Sequence, residues 1–118
     1  MKNEWGAELD RNGYAPSVVQ ADTSRCFMCM RSGVKLDRHE IFGNAMRAKS
    51  KRMGLWVALC HEPCHLIHAH GNAQVMDWLH RVGESACLDT YDMDIPAFRG
   101  EFYTNYLEET EDAEQSNP

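Results

Sequence analysis

The sequence has no long apolar run; none approaches the roughly 18 residues that a membrane-spanning helix requires. Its opening residues, MKNEWGAELD, carry no apolar segment of the secretory kind, so the expected address is intracellular and reducing. It is short of positive charge as well: 12 Lys and Arg stand against 18 Asp and Glu, a net charge of −6, which excludes a simple basic nucleic-acid coat protein. It lacks internal repeats and any composition break that would mark a second domain. At 118 residues it is one domain, and a domain of this size buries only about two-thirds of its unfolded surface, so cross-links would help it fold.

What is present is unevenly placed. Residues 25–52 hold eight of the 12 basic residues (Arg25, Arg31, Lys35, Arg38, Arg47, Lys49, Lys51 and Arg52) against Asp37 and Glu40. Residues 84–118 hold ten acids against Arg99 alone. This asymmetry, more than the total, bears on partners.

Four segments are expected. Residues 1–24 read as an irregular clasp, with a turn at Asn12-Gly13 and with Trp5, Leu9 and Tyr14 available to pack down. Residues 25–72 carry a Cys-x2-Cys knuckle, a short strand over Lys35–Phe42, a basic helix or loop over 44–53, a buried strand at Leu55–Leu59, and a helix opened by Pro63 and stopped by Gly71. Residues 73–108 form a helical part of the same domain. An amphipathic helix over 73–88 sets Val75, Met76, Leu79, Val82 and Ala86 on one stripe. A last helix is capped by Asp94, with Ile95, Phe98, Phe102, Tyr103, Tyr106 and Leu107 as its apolar set. Residues 109–118 read as an acidic, flexible tail.

Five cysteines in a reducing compartment point to metal or to buried thiols before disulfides. Cys26 and Cys29 make one tight pair and Cys60 and Cys64 another, about thirty residues on. Zinc takes four such ligands in a tetrahedron, so these four are the expected structural zinc site. His65 is a possible substitute ligand, and Cys87 reads as a core thiol.

Five of the six histidines lie within residues 39–70: His39, His61, His65, His68 and His70. His65 and His68 share a helical face at i,i+3. They suit extra zinc ligands, ligands of a second, catalytic cation, or plain surface positions. His39 stands in a strand, where an unpartnered imidazole is unusual. Neutral imidazole can serve as a general base near pH 7. Phosphodiester hydrolysis needs such a base together with a divalent cation, and the cations at 38, 47, 49, 51 and 52 suit a phosphate backbone.

Three stretches together carry a resemblance: GAELDRNGYAPSVVQADTSRCFMC, LDRHEIFGNAMRAKSKRMGLWVALCHEPCH and YDMDIPAFRGEFYTNYL. The order of CxxC, strand histidine, second strand, Cys-x3-Cys-His and a helix with further histidines resembles the HNH endonucleases (ββα-metal, His-Me finger). It is most similar to their small phage- and prophage-encoded relatives. The resemblance implies an α+β fold: a small zinc-stabilised ββα-metal core with additional C-terminal helices, in a bacterial or phage-infected cytoplasm. It implies hydrolysis of DNA phosphodiesters with Mg²⁺ or another divalent cation. Cys26, Cys29, Cys60 and Cys64 match the zinc knuckles, and His65, with His68 and His70, the cation side. His39 matches the strand histidine and Asn44 the middle residue. Arg38, Arg47, Lys49, Lys51 and Arg52 would meet DNA.

Many relatives show Asp-His or His-His where this chain reads Arg38-His39-Glu40. Either His39 is the base and Arg38 fills the ligand slot, or His39 is the ligand and Glu40 fills the base slot. The first is preferred, with Glu40 or Asp37 in support. A catalytically inactive zinc protein is the alternative. It would bind DNA through the basic segment or a protein through the acidic C-terminal region.

Overall fold

A computed structural model describes residues 1–107, so the expected tail at 109–118 lies outside the described residues. Two strands, β1 (Leu36–Glu40) and β2 (Trp56–Cys60), pair antiparallel. Between them run a 3-10 turn at Asn44–Met46 and the short basic helix α1 (Arg47–Arg52). β2 leads directly into a wide-turned helical segment, His61–Ala69, called here the histidine helix. Then come α2 (Ala73–Thr90) and α3 (Ile95–Phe102). The result is a small α+β domain with a two-stranded sheet and helices. No helix among the described residues is long and apolar enough to cross a membrane.

β2 is buried along its whole length, as its unbroken apolar sequence requires. One edge pairs with β1. The other is covered by the irregular N-terminal chain. Ala58 N–H donates to Gln20 Oε1 at 2.8 Å, Phe27 N–H donates to Ala58 O at 2.8 Å, and Ser17 Oγ donates to Trp56 O at 2.7 Å. The clasp thus completes the hydrogen bonding that a two-stranded sheet leaves open. It also fits tightly against the turn before β2. Gly54 has φ +72°, and a Cβ there would stand 2.3 Å from Pro16 O. Only glycine meets both conditions. Trp5 leans tilted against Tyr91 but stays exposed, and Tyr14 meets Trp56 edge-on.

The register puts Asp37 opposite Leu59 and His39 opposite Val57, on one face of the sheet. Leu36, Arg38 and Glu40 lie opposite Cys60, Ala58 and Trp56, on the other. α2 closes the core at Ile41, where a Cβ on Gly83 would come 2.7 Å from Ile41 Cγ2. Its buried seam is Leu79, Gly83, Glu84 and Cys87. Val82 and Ala86, expected on the stripe, are only half-buried. Cys87 is fully buried, a core thiol as expected. α3 has the expected Asp94 cap, which accepts from Ala97 N–H at 2.9 Å. It ends sooner than the apolar spacing suggests. Tyr103 takes a left-handed φ of 64° and stands 73% exposed, outside the core. The chain then turns back, and Glu84 Oε1 accepts from Tyr106 N–H at 2.7 Å. That bond lays Tyr106 beside Phe42 and His80.

Candidate functional site

Two clusters of possible metal ligands stand on either side of the Cys64–His65 peptide bond. The first is the expected cysteine set. One sulfur from each of Cys26, Cys29, Cys60 and Cys64 lies within 4.8 Å of the others. The CxxC turn is drawn tight by Cys26 N–H to Arg31 O at 2.8 Å and Met30 N–H to Cys26 O at 2.9 Å. Cys29 Sγ and Cys60 Sγ are 3.8 Å apart. A tetrahedral zinc with sulfur at about 2.3 Å sets its ligands about 3.8 Å apart, so the sulfurs can hold such an ion.

The electrostatics agree. The Arg31 side chain donates to Cys29 and draws that thiol down to about 6. At Cys26 burial opposes ionisation, but backbone N–H groups outweigh it and the pKa falls. Burial, then the three neighbouring sulfurs, pushes the Cys64 thiol far up. Four thiolates cannot share this space without a cation, and a divalent ion removes that conflict.

The second cluster joins His39, His65 and His70, each offering a ring nitrogen within 4.8 Å of the others. His65 Nε2 and His70 Nε2 face each other at 3.0 Å. An ion holding both at about 2.0–2.1 Å sets them about 3.3 Å apart, a shift of a few tenths of an ångström. His39 stands edge-on to both rings, 5.4 Å between centroids. It is 6% exposed. Burial, followed by the neighbouring His65 and His70, lowers its pKa to about 4, so it is neutral at pH 7.

Asp37 fixes this geometry. Its Oδ2 accepts from His65 Nδ1 at 2.8 Å and from His61 Nδ1 at 2.7 Å. Burial opposes its ionisation, yet the His65 and His61 bonds hold its pKa below the ordinary carboxylate value. A carboxylate only accepts, so His65 carries its proton on Nδ1 and turns the Nε2 lone pair inward.

The expected cation side is therefore rearranged. His65 and His70 come together, and the side chain of His68 is not part of the cluster. In an α-helix, residues five apart point about 140° away from each other. Here His70 N–H donates to His65 O, a wide i to i+5 turn that brings those two to one side. Glu40 and Arg38 are turned to the opposite sheet face from His39. Glu40 accepts from Tyr14 Oη at 2.9 Å and pairs with Arg47. Burial opposes its ionisation, but those two bonds lower its pKa.

The expected DNA-facing cations are all engaged within the chain. Arg38 pairs with Asp10 at 2.6 Å and lies 4.4 Å over the Tyr14 ring. Lys49 pairs with Glu101 at 2.9 Å, and Arg52 pairs with Glu4. Lys51 lies 4.8 Å over the Tyr14 ring. Asn44, with a left-handed φ of 53°, reaches the rim of a cavity of about 500 Å³ that opens from the histidine cluster. Its far wall includes Phe42, Met76, His80, Phe102 and Tyr106.

Asp37, expected as a support for His39, shares its sheet face but bonds His65 and His61 instead. Sequence reasoning missed His80 as a cavity residue. No family model, curated protein or solved structure matches this chain.

Proposed function

We propose that the protein is a metal-dependent endonuclease of the HNH type, built on a ββα-metal core and hydrolysing DNA phosphodiester bonds. The observation that carries this reading is the neutral, buried His39 set against the paired Nε2 atoms of His65 and His70, at the mouth of an open cavity. The four cysteines would hold a closed structural zinc, with no position left for substrate. The three-histidine side would stay open.

His65 and His70 would hold the catalytic cation, with Asp37 keeping His65 in the tautomer this requires. Such an ion would supply positive charge against the oxygen leaving phosphorus. His39 accepts a proton from the attacking water, a role its neutral state allows at pH 7. Imidazole nitrogen suits transition ions such as zinc and nickel better than magnesium, which prefers oxygen. Mg²⁺, Mn²⁺ and Ni²⁺ are therefore to be compared directly.

A plasmid-nicking assay across these ions, paired with a metal count, tests the proposal. His39→Ala is expected to keep both metals and lose cleavage. Unchanged cleavage in that variant would sink the mechanism. Loss of the second metal would reassign His39 as a ligand. One retained zinc with no nicking by the native protein in any cation would favour the alternative, a binding module for DNA or for a protein.

A further inference from the structure

The cavity beside the histidine cluster has one wall of nitrogen donors and another of rings. Phe42 and Phe102 belong to the core, 3% and 4% exposed, and the half-buried rings of His80 and Tyr106 pack on Phe42 and line the cavity. Met46 and Met76 add soft apolar surface, and Asn44 stands at the rim. Its volume of about 500 Å³ falls within the usual range for sites that enclose a small molecule, roughly 300–1,000 Å³. Following a phosphate track alone requires no apolar wall of this kind.

The cations beside the site bear on the same question. Tracking a double helix takes a row of cations free to replace counterions. Here Arg38, Arg47, Lys49 and Arg52 each pair with an acid of the chain itself. These pairs are exposed and open readily to a phosphate, whereas the cavity beside them adds what a base needs, the half-buried rings of His80 and Tyr106 and a polar rim.

We infer that this cavity takes the base of one unpaired nucleotide next to the scissile phosphate, so the substrate is single-stranded or locally unpaired DNA. This rests on the hydrolytic reading above and adds the substrate form to it. A base stacked within a duplex must first be extruded, and that cost is least where the strand is already single. Stacking on aromatic side chains is tolerant of sequence, so a preference for unpaired strand over a particular base follows.

Two small substrates separate this inference from the hydrolytic reading. Thymidine 5′-(p-nitrophenyl phosphate) carries a base, and methyl p-nitrophenyl phosphate does not. The expected result is a kcat/KM at least about tenfold higher for the first, and a similar preference for a single-stranded oligonucleotide over its duplex. Tyr106→Ala is expected to reduce the ratio between the two small substrates severalfold, and Tyr106→Phe to restore it. Equal kcat/KM for both would overturn the base pocket and leave hydrolysis intact.

If neither substrate is hydrolysed and plasmid is not nicked either, the hydrolytic reading falls. The pocket is then judged by binding, measured as anisotropy of a labelled pentanucleotide against its abasic counterpart on the full zinc-loaded chain. Weaker binding of the abasic strand by about tenfold or more supports the pocket, and equal binding overturns it.

Discussion

The cysteine cluster and the histidine cluster differ in nearly every respect that matters to a metal, though adjacent residues of one chain feed them. The first has four sulfurs in two local pairs, wrapped by backbone N–H groups and by Arg31. The second has three imidazoles, from β1, the histidine helix and the residue that caps it, with His65 oriented by one carboxylate and the group opening on a cavity. A closed soft site suits structure and an open nitrogen site suits chemistry. One small domain thus carries two possible metal sites of opposite character.

The largest effect expected is on the closed site. Cys60→Ser, or strong chelation, should unfold the protein, because structural zinc in small domains contributes on the order of 10 kcal/mol. Loss of near-UV circular dichroism checks this, and a native spectrum after complete zinc removal would erase the distinction. Next, His65→Ala should abolish binding of the second metal, seen as a stoichiometry falling from two to one. The melting temperature should stay within a few degrees of the native value.

Acid should also divide the two sites. The folded protein keeps His39 neutral down to about pH 4, whereas the unfolded chain takes up that proton near 6.5. Between those values the unfolded state binds more protons, so stability falls as pH drops through the window and levels off below it. The loss approaches about 3 kcal/mol. Denaturant titrations of native protein and His39→Gln over pH 4–7 should differ by this slope, and parallel curves would remove His39 from the account. Asp37→Asn should weaken the second metal about 10- to 100-fold by calorimetry, with the zinc count unchanged. The smallest effect is reserved for His68→Ala, which should alter metal affinity less than about twofold.

The closed site was legible because its candidate ligands come in local pairs, Cys26 with Cys29 and Cys60 with Cys64, a spacing that suits a shared metal ion. The buried β2 and the Asp94 cap were legible for the same reason: the signal lies within a few residues. The open site was only partly so. Helical spacing favoured His68 because a regular turn was assumed, and the wide turn between His65 and His70 has no mark in a list of residues. The basic stretch seemed free because its partners, Glu4, Asp10 and Glu101, lie 28 to 52 positions away in sequence. Tyr103 matched the apolar rhythm of α3, yet the helix had ended one residue earlier.

The covered edge of β2 has a consequence beyond the site. The segment LWVAL is the kind of uncharged, strongly β-forming stretch that recruits identical strands into fibres when its edge is bare. Gln20, Ser17 and Phe27 occupy that edge, using up the Ala58 and Trp56 backbone groups a second strand would pair with. The irregular residues ahead of the first cysteine pair are therefore also a guard against self-association, which makes their removal hazardous although neither candidate metal cluster includes them.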